Sequence, residues 1–188
     1  MRIIVGVTGA SGSIYGWRLL EKLRARDGVE VHLVLSRSGE RTAYLEMGKA
    51  AADFRALADC WYPVEDIGCR IASGSFRTDA MLIAPCSIHT MSSIAAGISS
   101  NLMIRAADVV LKERRKLVLM VRESPLHVGH LRSMTALAEM GAIIAPPVPA
   151  FYHHPQSVAD LVEHSVDRLL DLIGLPSDDA QRWDGGQR

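Results

Sequence analysis

The chain has 188 residues, 48% hydrophobic and 22% charged, which is the make-up of one soluble globular domain able to bury a real core. Its 21 basic and 21 acidic side chains cancel, which argues against a general nucleic-acid or membrane-surface binder, since either needs a basic surplus. No apolar run approaches the roughly 20 residues of a membrane span, and Ile3-Ile4-Val5 leads straight into Gly6 rather than into a signal peptide.

The first predicted element is a strand over Arg2–Thr8, a β-branched run that closes on Gly9. A helix follows from Ser13 to about Arg26, with Tyr15, Leu19, Leu20 and Leu23 on one side. Val31–Leu35 is a second strand, and Trp61–Ser75 reads as a long surface loop. Met81–Ala84 is a third strand, stopped by Pro85, with a helix over Ser87–Gly97 behind it. A helix over about Asn101–Lys112 leads to a fourth strand, Leu117–Val121. Another over about His127–Met140 leads to a fifth, Ala142–Ala145, stopped by Pro146-Pro147. The clearest helix is Ser157–Ile173, where Val158, Leu161, Val162, Val166, Leu169, Leu170 and Ile173 fall at helical spacing. Gly174 and Pro176 end it, and the tail 177–188 is polar apart from Trp183. The strands are continuously apolar rather than alternating. Strands buried on both faces by crossover helices read that way, so the expected architecture is a single α/β domain with a mostly parallel sheet.

Open parallel sheets bind ligands at the carboxyl ends of their strands, so the residues after each strand carry the functional argument. After the first comes Thr8-Gly9-Ala10-Ser11-Gly12-Ser13, a glycine-rich turn into a helix start whose amides suit a phosphate. Ser11 or Ser13 acting as a plain helix cap explains it too. The spacing is neither GxGxxG nor GxSxG. The second strand ends at Ser36-Arg37 without the acidic residue that holds an adenosine ribose, which disfavours NAD and favours a mononucleotide such as FMN. The third runs into Cys86-Ser87-Ile88-His89-Thr90, with two hydroxyls and fresh amides; Cys86 reads as a small buried residue rather than a nucleophile. The fourth ends at Arg122-Glu123, an anion clamp and an acid/base group, or else a surface ion pair worth under about 1 kcal/mol. After the fifth, prolines stiffen a loop whose polar aromatic is Tyr152.

Arg168 lies seven residues after Leu161 on an apolar stripe, where it needs a partner such as phosphate unless its head snorkels to water. Arg105, Asp108 and Lys112 share a polar helix side, which by itself reads as a solvated face. His127 with His130, and His153 with His154, lack a carboxylate or cysteine at metal spacing, so no metal is expected. Cys60, Cys69 and Cys86 form no metal-type pair and point to the reduced thiols of a cytoplasmic protein.

Several blocks together resemble one family: Val7-Thr8-Gly9-Ala10-Ser11-Gly12, Ser73-Gly74-Ser75-Phe76, Pro85-Cys86-Ser87, Arg105 through Arg115, Arg122-Glu123-Ser124-Pro125-Leu126 and Pro147 through His153. Over residues 2–183 the chain is similar to the UbiX-type flavin prenyltransferases, formerly described as aromatic-acid decarboxylase subunits. The resemblance implies a Rossmann-like, flavodoxin-like three-layer sandwich that assembles as a homododecamer with sites at subunit contacts. It implies transfer of a dimethylallyl group from dimethylallyl phosphate to nitrogen 5 and carbon 6 of reduced FMN, without a metal. The prenylated FMN then serves a UbiD-type decarboxylase. Carried over by motif, Gly9, Ala10, Ser11, Ser36, Ser87, Ile88, His89, Thr90 and Arg122 hold FMN. Arg105, Lys112, Glu123, Tyr152, Arg168 and Trp183 meet the allylic substrate, and Ser11, Glu46, Lys112, Glu123 and Tyr152 are the catalytic set. Residues 1–176 form the FMN-binding domain, and the tail 177–188 covers the site. His89 departs from the lysine or glycine of many relatives, which implies altered FMN contacts. Three rivals remain: an FMN-dependent enzyme that decarboxylates its substrate directly, a non-enzymatic FMN carrier, and a nicotinamide-dependent reductase, already disfavoured by Ser36-Arg37. Related cysteine decarboxylases use an Asn-containing motif where this chain has Ala84-Pro85-Cys86-Ser87.

Overall fold

A computed structural model of the chain describes residues 1–177, 180, 182, 183 and 185. Six parallel strands form one sheet: β1 (Arg2–Val7), β2 (Glu30–Leu35), β3 (Cys60–Tyr62), β4 (Ala80–Cys86), β5 (Lys116–Val121) and β6 (Ile143–Ile144). Their order across the sheet is β3-β2-β1-β4-β5-β6, so the chain reverses direction of travel between β1 and β4. Crevices at such a reversal are where open sheets bind ligands.

The helices are α1 (Ser13–Arg24), α2 (Arg37–Met47), α3 (Ala51–Arg55), α4 (Ile88–Ala95), α5 (Leu102–Lys112), α6 (Val128–Glu139) and α7 (Val158–Ile173). Alternate strand residues feed two cores, since successive side chains point to opposite faces. Ile3, Val5 and Val7 pack with Leu19, Leu20 and Leu23 of α1, Phe54 of α3 and the stripe of α7. Ile4, Met81 and Ile83 pack with Met91 and Ile94 of α4, the apolar face of α5 and Leu137 of α6. The result is the expected three-layer α/β sandwich. Lys22 of α1 bonds Glu163 at 2.8 Å and also Asp167, which fixes α7 across α1.

Three readings of the sequence change. β4 does not stop at Pro85 but runs to Cys86, with its register against β5 shifted between Ile83 and Cys86. Proline lacks an N–H, and an irregular stretch of ladder tolerates that loss. Trp61–Ser75 is not all loop: β3 adds an edge strand, and Arg70–Ala72 forms a 3₁₀ turn. Arg168 is not on the buried stripe of α7, which is Val162, Val166, Leu169, Leu170 and Ile173. Its side chain is 56% exposed and pairs with Asp171 at 2.6 Å.

Candidate functional site

The carboxyl ends of β2, β1 and β4 lie side by side, and each feeds a helix start. Thr8, buried after β1, ties two of these ends together. Its hydroxyl donates to the Pro85 carbonyl at 2.7 Å and accepts the Ser87 amide at 2.8 Å. Ser36 caps α2 by accepting from the Gly39 amide at 3.0 Å. Ser87 caps α4 by accepting from the Thr90 amide at 3.3 Å, and its hydroxyl meets the Thr90 hydroxyl at 3.2 Å. Helix geometry leaves the first-turn amides, Arg37 and Ser38 on α2 and Ile88 and His89 on α4, without intrahelical partners. Each start also carries the positive end of a helix dipole.

The start of α1 differs from its sequence reading. Gly12 stands at φ 98, a left-handed conformation that favours glycine. Neither Ser11 nor Ser13 caps the helix. Instead Glu46, one residue from the end of α2, places its carboxylate on the Gly12 amide at 3.0 and 3.1 Å and the Ser13 amide at 2.9 Å. Partial burial pushes this carboxyl up, but bonds from the Ser11 hydroxyl and the Ser13 and Gly12 amides outweigh it, and Glu46 stays below its ordinary range. The amides expected to await a phosphate thus hold an ionised carboxylate of the chain itself. Gly9 and Ala10 line the same turn, half-buried, and Gly9 accepts a bond from Thr42 at 3.2 Å through its carbonyl.

Arg122 leaves β5 with its amide bonded to the Cys86 carbonyl at 3.1 Å. Its guanidinium is exposed, makes no salt bridge among the described residues, and acts on the Tyr15 phenol. Burial raises that phenol, opposed by Arg122 and by the Ser165 hydroxyl of α7. Glu123 is exposed and bonds the Ser124 amide at 3.0 Å. Tyr152 sits in the loop before α7, its hydroxyl 2.8 Å from His164 Nε2 and its ring 5.7 Å edge-on from Trp183. Trp183 is 65% exposed, and Arg182 beside it binds Asp171 through two bonds of 2.8 Å. The described part of the expected 177–188 tail therefore contacts Tyr152 and α7; residues 178, 179, 181, 184 and 186–188 lie outside the described residues.

One expected substrate residue does not join this edge within one chain. Lys112 ends α5, which runs from the carboxyl edge towards the start of β5, so it lies at the amino end of the sheet, bonded to Glu113. Arg105 bonds Asp108 at 2.6 Å on the outer side of the same helix. Cys86 is fully buried and its thiol is pushed up to about 12 by burial, which removes it as a nucleophile. Sequence spacing gave no hint of Glu30, His32 and Cys60, whose ligand atoms lie within 4.8 Å of one another. They sit at the amino half of the sheet, where Arg2 holds Glu30 at 2.8 Å, Arg70 holds Cys60 at 2.8 Å and Tyr62 holds His32 at 2.9 Å. Two guanidiniums already occupy that cluster, and it is remote from the carboxyl edge.

The donor set at that edge fits a phosphorylated flavin: free amides at two helix starts, the Ser36, Ser87 and Thr90 hydroxyls, and the exposed Arg122. The Flavoprotein family matches residues 1–170. The flavin prenyltransferase UbiX of Thauera aromatica is 54% identical over 187 residues, covering 100% of this chain and 96% of the relative. That of Escherichia coli strain K12 is 54% identical over 98% of each chain. Among solved structures, AnUbiX (PadA1) in complex with FMN and dimethylallyl pyrophosphate superposes with a TM-score of 0.95 at 46% identity, over 98% of this chain and 97% of that one. A dodecameric FMN-dependent UbiX-like decarboxylase from Escherichia coli O157:H7 superposes with a TM-score of 0.97 at 50% identity, over 98% and 100%. At 17% identity and a TM-score of 0.61, the cysteine decarboxylase TvaF shares the fold. With full-length identity at this level, and a helix-start edge suited to a flavin phosphate, the chain belongs to the UbiX-type flavin prenyltransferases of the Flavoprotein family.

Proposed function

We propose that this chain transfers a dimethylallyl group from dimethylallyl phosphate to reduced FMN, and that it does so without a metal. The observation that carries the reading is the likeness to AnUbiX, whose structure holds both FMN and an allylic diphosphate. In this reading the α2 and α4 first-turn amides, with Ser36, Ser87, Ile88, His89 and Thr90, hold the flavin's phosphorylated chain. Gly9, Ala10, Ser11 and Arg122 line the rest of it. Reduced FMN supplies the nucleophilic nitrogen 5 and carbon 6.

The chain's own residues act on charge. Breaking the allylic C–O bond gathers negative charge on phosphate and positive charge on carbon. Arg168 and Tyr152 receive the phosphate, and preorganised donors of this kind lower the barrier because they need no reorientation. Glu123 or Tyr152 supplies the proton that a monophosphate needs to leave. Glu46, held ionised, faces the developing cation, and the Tyr152 and Trp183 rings add their faces to it. Lys112, at the amino end of the sheet, reaches a substrate only across a subunit contact, which an assembly like that of the dodecameric relative would supply. The product goes to a UbiD-type decarboxylase, and the protein works in the cytoplasm.

The test is direct. Purified protein, anaerobically reduced FMN and dimethylallyl phosphate should yield a flavin heavier by five carbons and its hydrogens. An unchanged flavin, with carbon dioxide released from an added aromatic acid, would establish direct decarboxylation instead. An unchanged flavin that merely passes to an acceptor protein would leave a carrier.

A further inference from the structure

Tyr152 and His164 come from different elements and meet through their polar ends. The phenol hydroxyl lies 2.8 Å from His164 Nε2, and the two rings stand edge to face at 5.5 Å. His153 stacks on His164, 4.5 Å away and 10° from parallel, and the Tyr152 ring stands edge-on to both imidazoles, 5.6 Å from the first and 5.5 Å from the second. His164 lies one helical turn before Arg168 on α7, which puts phenol, imidazole and guanidinium in one row.

We propose that His164 is a positioning residue of the transfer reaction, one whose Nε2–H anchors the Tyr152 oxygen and leaves the phenol proton free for the phosphate of the allylic donor. The inference rests on the function proposed above. A phenol has one proton and two lone pairs. If imidazole donates to the oxygen, the phenol proton is available to an incoming phosphate. If imidazole accepts, that proton is spent inside the protein. Burial, helped by His153 and Arg168, holds His164 below its ordinary range against the pull of Asp167 and Asp171, so the ring is neutral with one N–H to place. Glu163 does not compete for it, since Arg18 and Lys22 hold that carboxylate. No spacing in the sequence marks His164, because its partner is twelve residues away in an irregular loop.

The experiment compares His164→Leu, His164→Gln, Tyr152→Phe and the double variant His164→Leu/Tyr152→Phe, with the flavin mass gain as the readout. Glutamine's side-chain amide sits near Nε2 and still donates. His164→Leu is expected to lose about tenfold in kcat, the scale of one hydrogen bond realised in the transition state. His164→Gln should recover to within about threefold, and the double variant should match Tyr152→Phe alone, because a residue acting through the hydroxyl has nothing left to act on. FMN affinity should stay as in the unsubstituted protein throughout. Unchanged turnover in His164→Leu overturns the inference. So does an equal further loss in the Tyr152→Phe background, or a folded His164→Gln as slow as the leucine variant. If His164→Leu fails to fold, His164→Asn, too short to reach the phenol, replaces it in both backgrounds. An unsubstituted protein that adds no five-carbon group refutes the proposed function and the positioning role with it, whereas transfer by the unsubstituted protein that His164→Leu leaves unmoved refutes the positioning role alone.

Discussion

Glu46→Gln separates the charge that stabilises the start of α1 from the shape that fills it. The carboxylate accepts from the Gly12 and Ser13 amides at 2.9–3.1 Å and no side chain of α1 caps that helix. Glutamine keeps one acceptor oxygen and loses the charge. A lost N-cap costs about 0.5–2 kcal/mol, and the charge–dipole part at an exposed terminus is about 0.3–1 kcal/mol. Glu46 is exposed, so water screens part of this and about 1 kcal/mol is expected. In a chain of this size that lowers Tm by about 2–4 °C. The folded pKa is depressed below 4.5, so the stabilisation is complete above that value and fades as pH falls through the folded one. Melting curves of both proteins at one concentration, at neutral pH and then stepwise into acid, should show the gap at neutrality and its closure in acid. Equal melting at neutrality, or a gap that persists after Glu46 is protonated, would refute the assignment of the carboxylate as the cap.

Cys86→Ala should keep prenyl transfer within about twofold, since a fully buried thiol pushed up to about 12 is neither ionised nor reachable. Peptide mass spectrometry after alkylation of the folded protein should find label on Cys60 or Cys69 before Cys86, and early label on Cys86 would refute its inertness. Arg168→Ala should raise the KM for the allylic phosphate more than tenfold, as a lost charge-assisted bond is worth about 1.5–3 kcal/mol, and leave FMN binding unchanged. Isothermal titration with FMN alone, beside initial rates, checks both halves; a weakened flavin with an unmoved KM would assign Arg168 to the wrong ligand.

The sheet is legible because its strands are buried on both faces: β1 and β5 coincide with apolar runs, and β2 with one broken by the buried His32. The elements that the sequence hides bury little. α2 buries only Gly39 and Ala43, so it shows no apolar stripe, and β3 is a three-residue edge strand half exposed to water. The edge residues Ser36, Ser87 and Arg122 were found because parallel topology says to look just past each strand. Glu46 follows no strand; family likeness marked it, but its seat on the amides of α1 came from packing α2 beside α1. Counting from Leu161, which is only half-buried, puts Arg168 on the stripe; the seam runs through Val162 and Val166, so its head lies out at water, the snorkelling alternative.

The same packing gives the site an unusual charge state before any ligand arrives. Arg168 is held by Asp171 at 2.6 Å, Arg105 by Asp108 at 2.6 Å, Lys112 by Glu113, and the α1 amides by Glu46. Arg168 thus meets the allylic phosphate already neutralised by Asp171, so phosphate binding there is an exchange of anions, while Arg122 stands without a salt bridge among the described residues. Exchange costs little, because exposed pairs are worth about 0–1 kcal/mol, and a phosphate dianion binds a guanidinium more strongly than a carboxylate does. Asp171→Asn tests this. It releases Arg168, and also the tail's Arg182, while keeping the side chain's size. If Asp171 competes with substrate, the KM for the allylic phosphate should fall about two- to fivefold, the equivalent of a pair worth under 1 kcal/mol. The gain should shrink with added salt, because the freed guanidiniums then bind other anions. If Asp171 instead aims Arg168 at the phosphate, KM rises, and the exchange argument fails at the residue where it is most exposed to measurement.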